Sequence, residues 1–273
     1  MLPNSVNICY DIHGDGDPVL LVHGFGSKKE SWIAQTEPLA KHFKVIRFDN
    51  RGAGKSDRPD DPYTMKVFAD DINALLDFLG IEKTHIIGWS LGGMIVQNTV
   101  LKYPQRVNKM VLINTNYGTP DESGAEMYKD MRLNSLKLIN EDPVKAFWQS
   151  TRTSYHIKFR KQMEAEPTKK WYGLWSVDDL IQNDITDPPT EKDIIMQAGA
   201  VSTHNTLEKL HEIKNDTLLI TSSHDRIMPQ SVMEEMHGKI PNSTLKVVDK
   251  AGHASPLSRA PEINKMIIEF LKN

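Results

Sequence analysis

Short apolar runs that alternate with amphipathic helical patterns constrain the fold of this chain more than any other feature. Six runs are rich in branched residues, as buried strands are: residues 18–22, 45–48, 85–87, 107–113, 217–221 and 245–248. Between two of them, residues 65–79 place apolar side chains every three or four positions and end at Gly80, a typical helix C-cap. This alternation predicts an α/β fold with a mostly parallel, doubly wound sheet covered by helices on both faces.

The rhythm breaks once, between residues 118 and 205, where helical and loop patterns contain no convincing strand. We therefore predict a core formed by residues 1–117 and 206–273, with a helical cap at residues 118–205. The cap brings three tryptophans and several methionines, and its candidate substrate-binding residues, together with Trp89, are Trp148, Trp171 and Trp175. For any one of these side chains burial under the cap is the better expectation, but as a set they predict an adaptable, mostly apolar pocket.

Composition narrows the class of protein. With 273 residues, 39% of them hydrophobic, the chain can bury a full core. Its 33 basic and 36 acidic residues are spread along the sequence, which argues against a nucleic-acid or membrane-surface partner. Cys9 is the one cysteine, so we expect no intramolecular disulfide, no zinc site and a reducing compartment. The first residues lack a basic region followed by an apolar run, and a soluble, cytoplasmic protein is expected.

The sharpest motif is the run HIIGWSLGG at residues 85–93, in which an apolar strand enters Gly88-x-Ser90-x-Gly92 and a helical pattern follows at once. A strand-turn-helix of this kind forces the central residue into a strained turn that exposes its side chain, and it brings helix and strand so close that only glycine fits beside it. A small-residue turn without chemistry is the alternative. The surrounding strand and helix favour Ser90 as a nucleophile.

A serine nucleophile needs a base, and the base needs an acid to orient it. Of the ten histidines, His253 follows a predicted strand and precedes the last helix, so it lies on a loop at the carboxyl end of the sheet with Ser90. Asp225 follows the strand at residues 217–221 on the same edge, although capping the next helix is its simpler role. The order Ser90, Asp225, His253 is typical of a catalytic triad on such a sheet, with Asp49 as the next candidate acid.

The stretch FDNRGAGKSDRP at residues 48–59 superficially resembles a nucleotide-binding loop, because it contains Gly54-Lys55-Ser56. Asp49, however, stands where the first glycine of that loop belongs, and it would bring a negative charge to the phosphates. Pro59 and Pro62 then start a turn instead of the helix that a phosphate site requires. A structural turn is therefore the preferred interpretation.

Taken together, these motifs resemble the α/β-hydrolase family over nearly the whole chain. Besides the Ser90 turn and the loops of Asp225 and His253, the sequence has His23-Gly24-Phe25-Gly26, which resembles the family's oxyanion turn. It also has Asp49-x-Arg51-Gly52-x-Gly54-x-Ser56, which matches a tight turn common in the family. The resemblance implies that the backbone N–H groups of Phe25 and Leu91 form the oxyanion hole, that His23 and Gly24 support it, and that Lys55 occupies a variable position.

Within this family a serine at the elbow argues against dehalogenase and epoxide hydrolase activity, which use an aspartate there. We predict hydrolysis of small to medium neutral carboxylic esters through an acyl-enzyme, with no cofactor or metal and with homo-oligomerisation left open. Hydrolysis of an enol-lactone, as in 3-oxoadipate enol-lactonases, is the runner-up, and the resemblance also leaves carbon–carbon bond hydrolysis, aminopeptidase action and cofactor-free perhydrolysis open. A ligand receptor of this fold that turns over slowly is a further possibility, which a single stoichiometric burst on an activated ester would indicate.

Overall fold

A seven-stranded sheet organises the computed structural model, which describes residues 6–118 and 122–273. Its order is β1-β3-β2-β4-β5-β6-β7, and only the pairing of β1 with β3 is antiparallel. The strands are β1 Tyr10–His13, β2 Pro18–Val22, β3 Lys44–Phe48, β4 Thr84–Trp89, β5 Val107–Ile113, β6 Asp216–Ser222 and β7 Ser243–Val248. The predicted mostly parallel α/β fold is confirmed.

Eleven α-helices are present in the described part of the chain. They are α1 Ile33–Ala40, α2 Met65–Phe78, α3 Leu91–Lys102, α4 Glu122–Glu141, α5 Pro143–Ser154, α6 Ile157–Ala165, α7 Val177–Ile185, α8 Glu191–Ser202, α9 Gln230–Lys239, α10 Ser255–Ser258 and α11 Ala260–Lys272. None of the helices in residues 6–118 and 122–273 is long and apolar enough to cross a membrane.

Strand β2 shows how the sheet is covered on both faces. Leu20 and Val22 point into a core cluster that also holds residues of α2 and α3, whereas Val19 and Leu21 point into a cluster with residues of α1 and α11. All four side chains are fully buried, which is the pattern of a parallel strand between two helical layers.

Helices α4 to α8 lie in the chain between β5 and β6, in the region predicted as a cap. Among its described residues, β-structure is limited to the isolated bridges Gly118–Asn205 and Trp171–Trp175. The division into a core of residues 1–117 and 206–273 and a cap of residues 118–205 stays a prediction, and residues 1–5 and 119–121 lie outside the described part.

Candidate active site

The turn between β4 and α3 places Ser90 in a backbone conformation that residues other than glycine rarely adopt. Its φ is 57° and its ψ is −123°, so the residue is strained. A Cβ on Gly92 would lie 2.0 Å from the carbonyl oxygen of Val22, and one on Gly88 would lie 2.5 Å from that of Gly92. Only glycine allows helix and strands to approach this closely, and the predicted elbow geometry is present.

Asp225 and His253 meet beside this turn. Asp225 follows β6, His253 follows β7, and His253 Nδ1 lies 2.8 Å from Asp225 Oδ2. The other carboxylate oxygen, Oδ1, accepts hydrogen bonds from the backbone N–H groups of Ile227 and Met228 at 2.8 and 2.9 Å. A carboxylate that accepts three hydrogen bonds is held in one orientation, so the imidazole carries its proton on Nδ1 and leaves Nε2 free as an acceptor.

The loop that carries His253 is fixed from two sides. The His253 carbonyl oxygen accepts hydrogen bonds from Trp89 Nε1 at 3.1 Å and from Asn114 Nδ2 at 2.9 Å. The next residue, Ala254, donates its N–H to the carbonyl of Ser154 at the end of α5. His253 is therefore anchored to the sheet edge and to a helix of the β5–β6 insertion.

The predicted oxyanion turn, residues 23–26, is equally ordered. His23 is fully buried, and its Nε2 accepts the N–H of Asn50 at 3.0 Å, so its Nδ1 carries the proton and donates to the carbonyl of Gly24 at 3.0 Å. Burial lowers the pKa of His23, which favours this neutral form. In the described part of the chain neither the N–H of Phe25 nor that of Leu91 has a hydrogen-bond acceptor. Two backbone donors are thus free beside Ser90.

Two cavities meet at this place. The serine cavity, of about 190 Å³, and the lysine cavity, of about 230 Å³, share Phe25, Ser27, Trp89, Arg132, Ser154 and His253 in their walls. The serine cavity adds Ser90, Leu91, Met94, Tyr128, Met131, Val201, Ile227 and Met228 among others. The lysine cavity adds Lys28, Tyr155, Asn183, Asp184 and Asp187 among others. Ser90 and His253 therefore face the same, largely apolar space, and a space with several charged side chains in its wall adjoins it.

Charge is concentrated in the lysine cavity. Burial lowers the pKa of Lys28 against the opposing pull of nearby carboxylates, and burial raises the pKa of Asp184 despite the neighbouring Arg132 and Lys28. The guanidinium of Arg132 donates from Nη2 to the carbonyl of Gly26, so a cation touches the oxyanion turn itself. In residues 6–118 and 122–273 no three His, Cys, Asp or Glu side chains are grouped as a metal site would require.

The predicted substrate-binding tryptophans divide into two groups. Trp89 lines both cavities. Trp148, Trp171 and Trp175 are absent from the described walls of both cavities and pack in one apolar cluster, in which side chains of the insertion meet Ala34 of α1 and the residues Ala254, Leu257 and Ala260 that follow His253. They lie behind the lysine cavity, since Trp148 contacts Phe147 edge to face and Trp175 donates to the carbonyl of Leu257.

The methionines of the insertion also differ. Met131 is in the wall of the serine cavity, Met127 is 57% exposed and Met163 is fully buried. Met196 is half-buried and packs against the main core cluster. Of the four, only Met131 is found in the described cavity walls.

Tyr128 and Arg132 are wall residues that the sequence analysis did not single out, whereas Met131 belongs to the set of methionines that it did. Tyr128, Met131 and Arg132 lie on one face of α4, at the three- and four-residue spacing of a helix. That spacing is readable in the sequence, but the surface against which the face docks is not. Lys28 carries no local signal at all.

Comparisons with known proteins identify the fold and the family of this chain. A family model described as the alpha/beta hydrolase fold matches residues 17–260. The 2-hydroxy-6-oxo-6-phenylhexa-2,4-dienoate hydrolase of Comamonas testosteroni is 27% identical over 97% of this chain and 91% of its own. A thermophilic esterase from Thermogutta terrifontis superposes with a TM-score of 0.82 at 25% identity, covering 99% of this chain and 94% of that one.

The enol-lactonase from Burkholderia xenovorans LB400 superposes with a TM-score of 0.81 at 22% identity, over 99% of this chain and 98% of that one, and so shares the fold. The family model covers most of the chain, including the elbow, the oxyanion turn and the loops that carry Asp225 and His253. The chain belongs to the α/β-hydrolase fold family, and it is a hydrolase.

Proposed function

We propose that this protein is a serine hydrolase that cleaves small to medium carboxylic esters through an acyl-enzyme intermediate. The observation that carries the proposal is the 2.8 Å contact between His253 Nδ1 and Asp225 Oδ2 beside the strained Ser90 turn. Since Nδ1 donates to Asp225, His253 can offer Nε2 as the proton acceptor in the cavity that Ser90 also lines.

In the proposed reaction, Ser90 Oγ attacks the ester carbonyl carbon while His253 Nε2 accepts the hydroxyl proton. The carbonyl oxygen becomes an oxyanion, which the N–H groups of Phe25 and Leu91 stabilise. His253 then gives the proton to the leaving alcohol as the carbon–oxygen bond breaks, and the acyl group stays on Ser90. A water then gives a proton to His253 and attacks the acyl carbon through the same oxyanion site. As the bond from this carbon to Ser90 Oγ breaks, His253 returns the proton to Ser90 and the carboxylic acid leaves.

The two cavities support a division of the substrate. Met94, Val201 and Met228 give the serine cavity an apolar wall that suits a short acyl chain, and its volume of about 190 Å³ favours small groups. The alcohol would then leave through the polar lysine cavity. A series of activated esters of rising acyl length tests this arrangement, and highest kcat/KM on long-chain emulsions would contradict it.

The assignment of Ser90 is tested by Ser90→Ala. Removing the nucleophile should lower kcat by about 10⁴-fold or more, because only binding and the oxyanion donors remain. Ser202→Ala, at the exposed end of α8, is the control purified in the same way and should keep the wild-type rate. A phosphonate probe should label wild type and Ser202→Ala but not Ser90→Ala. Near-normal turnover by Ser90→Ala would refute the proposal.

Hydrolysis of an anionic enol-lactone is the second candidate, favoured by the two cations Lys28 and Arg132 at the cavities. The Comamonas testosteroni relative is named for a dienoate, which is also an anion. Arg132→Met should lower kcat/KM for an anionic enol-lactone by about 10- to 100-fold, as expected for a lost charged hydrogen bond, and should change a neutral ester less.

Arg160→Met is the matched control, because Arg160 pairs with Glu164 on α6 and is absent from the described cavity walls. Equal losses for the neutral and the anionic substrate in Arg132→Met would favour the ester hydrolase over the lactonase.

A further inference from the structure

One buried amide connects the insertion to the oxyanion turn. Gln197 on α8 is 1% exposed, and its Oε1 accepts the N–H of Gly26 at 2.9 Å. Its Nε2 donates to the carbonyl of Gly52 at 3.2 Å, so the same side chain also holds the glycine-rich turn of residues 49–58. A buried amide satisfied on both ends is a fixed spacer between the two turns that it joins.

The glycine-rich turn holds α8 by a second contact. Arg58 Nε lies 2.9 Å from Asp193 Oδ2, and Asp193 precedes Gln197 by one helical turn. Arg58 Nη2 in turn donates to the carbonyl of Gly54 at 2.8 Å. Helix α8 is therefore held on this turn at two positions of one face, Asp193 and Gln197. These contacts fix the position of the Gln197 side chain relative to residue 26.

The hydrogen bond to Gly26 acts next to the proposed oxyanion donor. The carbonyl of Gly24 is held by His23 Nδ1 and by the N–H of Ser27, which sets the peptide plane that carries the Phe25 N–H. Gln197 holds the following plane through the Gly26 N–H. Both peptide planes that flank the Phe25 Cα are thus fixed, and among the described residues the second plane is held by the insertion alone.

We propose that Gln197 is a positioning residue: by holding the Phe25–Gly26 peptide, the docking of α8 on the glycine-rich turn restrains Phe25 from its second side and keeps its N–H directed at the oxyanion. This inference rests on the proposed function, since Phe25 matters only if an oxyanion forms there. Residues 49–58 would then have a role beyond forming a tight turn. They would be the surface on which α8 docks when it positions the oxyanion turn.

The test replaces Gln197 by Met, which is close in shape but accepts no strong hydrogen bond, and by Glu, which keeps the acceptor for Gly26. Gln35→Met is the matched control, because Gln35 is a fully buried glutamine whose Nε2 bonds Pro256 and Asn264 away from the oxyanion turn. Kinetics on an activated ester, hydrogen exchange of peptides covering residues 23–29 and melting temperatures are measured for all three.

For Gln197→Met we expect kcat to fall about 10-fold or more with KM within about 3-fold, since a misdirected donor loses part of the 10² to 10³ that removing one costs. Exchange at residues 23–29 should rise, and Gln197→Glu should recover part of kcat. Gln35→Met should lower the melting temperature comparably and leave kcat and that exchange unchanged.

Unchanged exchange, or an unchanged kcat, in Gln197→Met would overturn the inference, as would an equal kcat loss in Gln35→Met. Failure of the proposed function is recognised separately by near-normal turnover in Ser90→Ala.

Discussion

Acid should destabilise this protein through His204, a buried histidine between α8 and the β6 strand. The residue is 3% exposed, its Nδ1 lies 3.1 Å from Asn98 Nδ2, and its Nε2 lies 3.4 Å from the carbonyl of Asn116. The amide of Asn98 donates to Nδ1, so the ring is neutral with its proton on Nε2. Burial lowers the pKa of His204 from 6.5 to about 4.

The sign and size of the effect follow from this pKa. Between pH 6.5 and about 4 the unfolded chain takes up a proton at His204 and the folded chain does not, so the free energy of unfolding falls as the pH falls. At about 1.4 kcal/mol per pKa unit, the free energy of unfolding falls by about 3 kcal/mol in total, and it does not fall from this cause above pH 7.

The assay is urea denaturation of wild type and His204→Gln at several pH values from 7 to 4. Wild type should lose about 3 kcal/mol more than the variant over this range. Burial also lowers the pKa values of His23 and His85, but both histidines are present in the two proteins, so their contributions cancel in the difference. His211→Gln, an exposed neighbour, is the control and should follow wild type. Parallel pH profiles for wild type and His204→Gln would refute the reasoning.

Two further predictions concern the site. Asp225→Asn should keep the hydrogen bonds to residues 227 and 228 but turn an amide N–H toward His253 Nδ1, which puts the ring proton on Nε2 and should lower kcat about 10⁴-fold. The surface variant Asp249→Asn is the control and should keep the wild-type kcat. A near-normal kcat in Asp225→Asn would mean that another residue is the acid. Gly92→Ala should lower the free energy of unfolding by about 1–3 kcal/mol in urea titrations, because the new Cβ would meet the Val22 carbonyl. Gly238→Ala is the control, since a Cβ at that position has open space around it. Equal stability of the two variants would contradict the argument.

The positions of the three candidate triad residues were largely predictable because each of them follows a strand of one parallel sheet. Ser90 lies in a turn that its own glycines specify, and Asp225 and His253 each follow a strand of the same parallel sheet, whose carboxyl ends share one edge. Sequence order and strand patterns therefore place the three residues near one another without any knowledge of side-chain packing.

The insertion was less predictable because its contacts are between distant parts of the chain. Hydrophobicity alone makes Trp171 and Trp175 look like pocket residues, yet they are 5% and 0% exposed, buried where the insertion packs against α1 and the residues after His253. Arg132 and Gln197 look like ordinary helical residues until the docking of α4 and α8 is known. Strand β1 was missed for a related reason, since its residues alternate between exposed and half-buried and pair only at the edge of the sheet.

The way the insertion leaves and rejoins the sheet has a consequence for how such a protein can change. Strands β5 and β6 are direct parallel neighbours, and the bridge between Gly118 and Asn205 brings the two ends of the insertion together. Because closing a longer loop costs only slightly more entropy, segments of other lengths could be exchanged at this junction with little strain on the sheet. Exchanging the inserted segment would change which substrates the protein accepts. The new segment would have to supply an amide, or an equivalent hydrogen-bond acceptor, where Gln197 now meets Gly26.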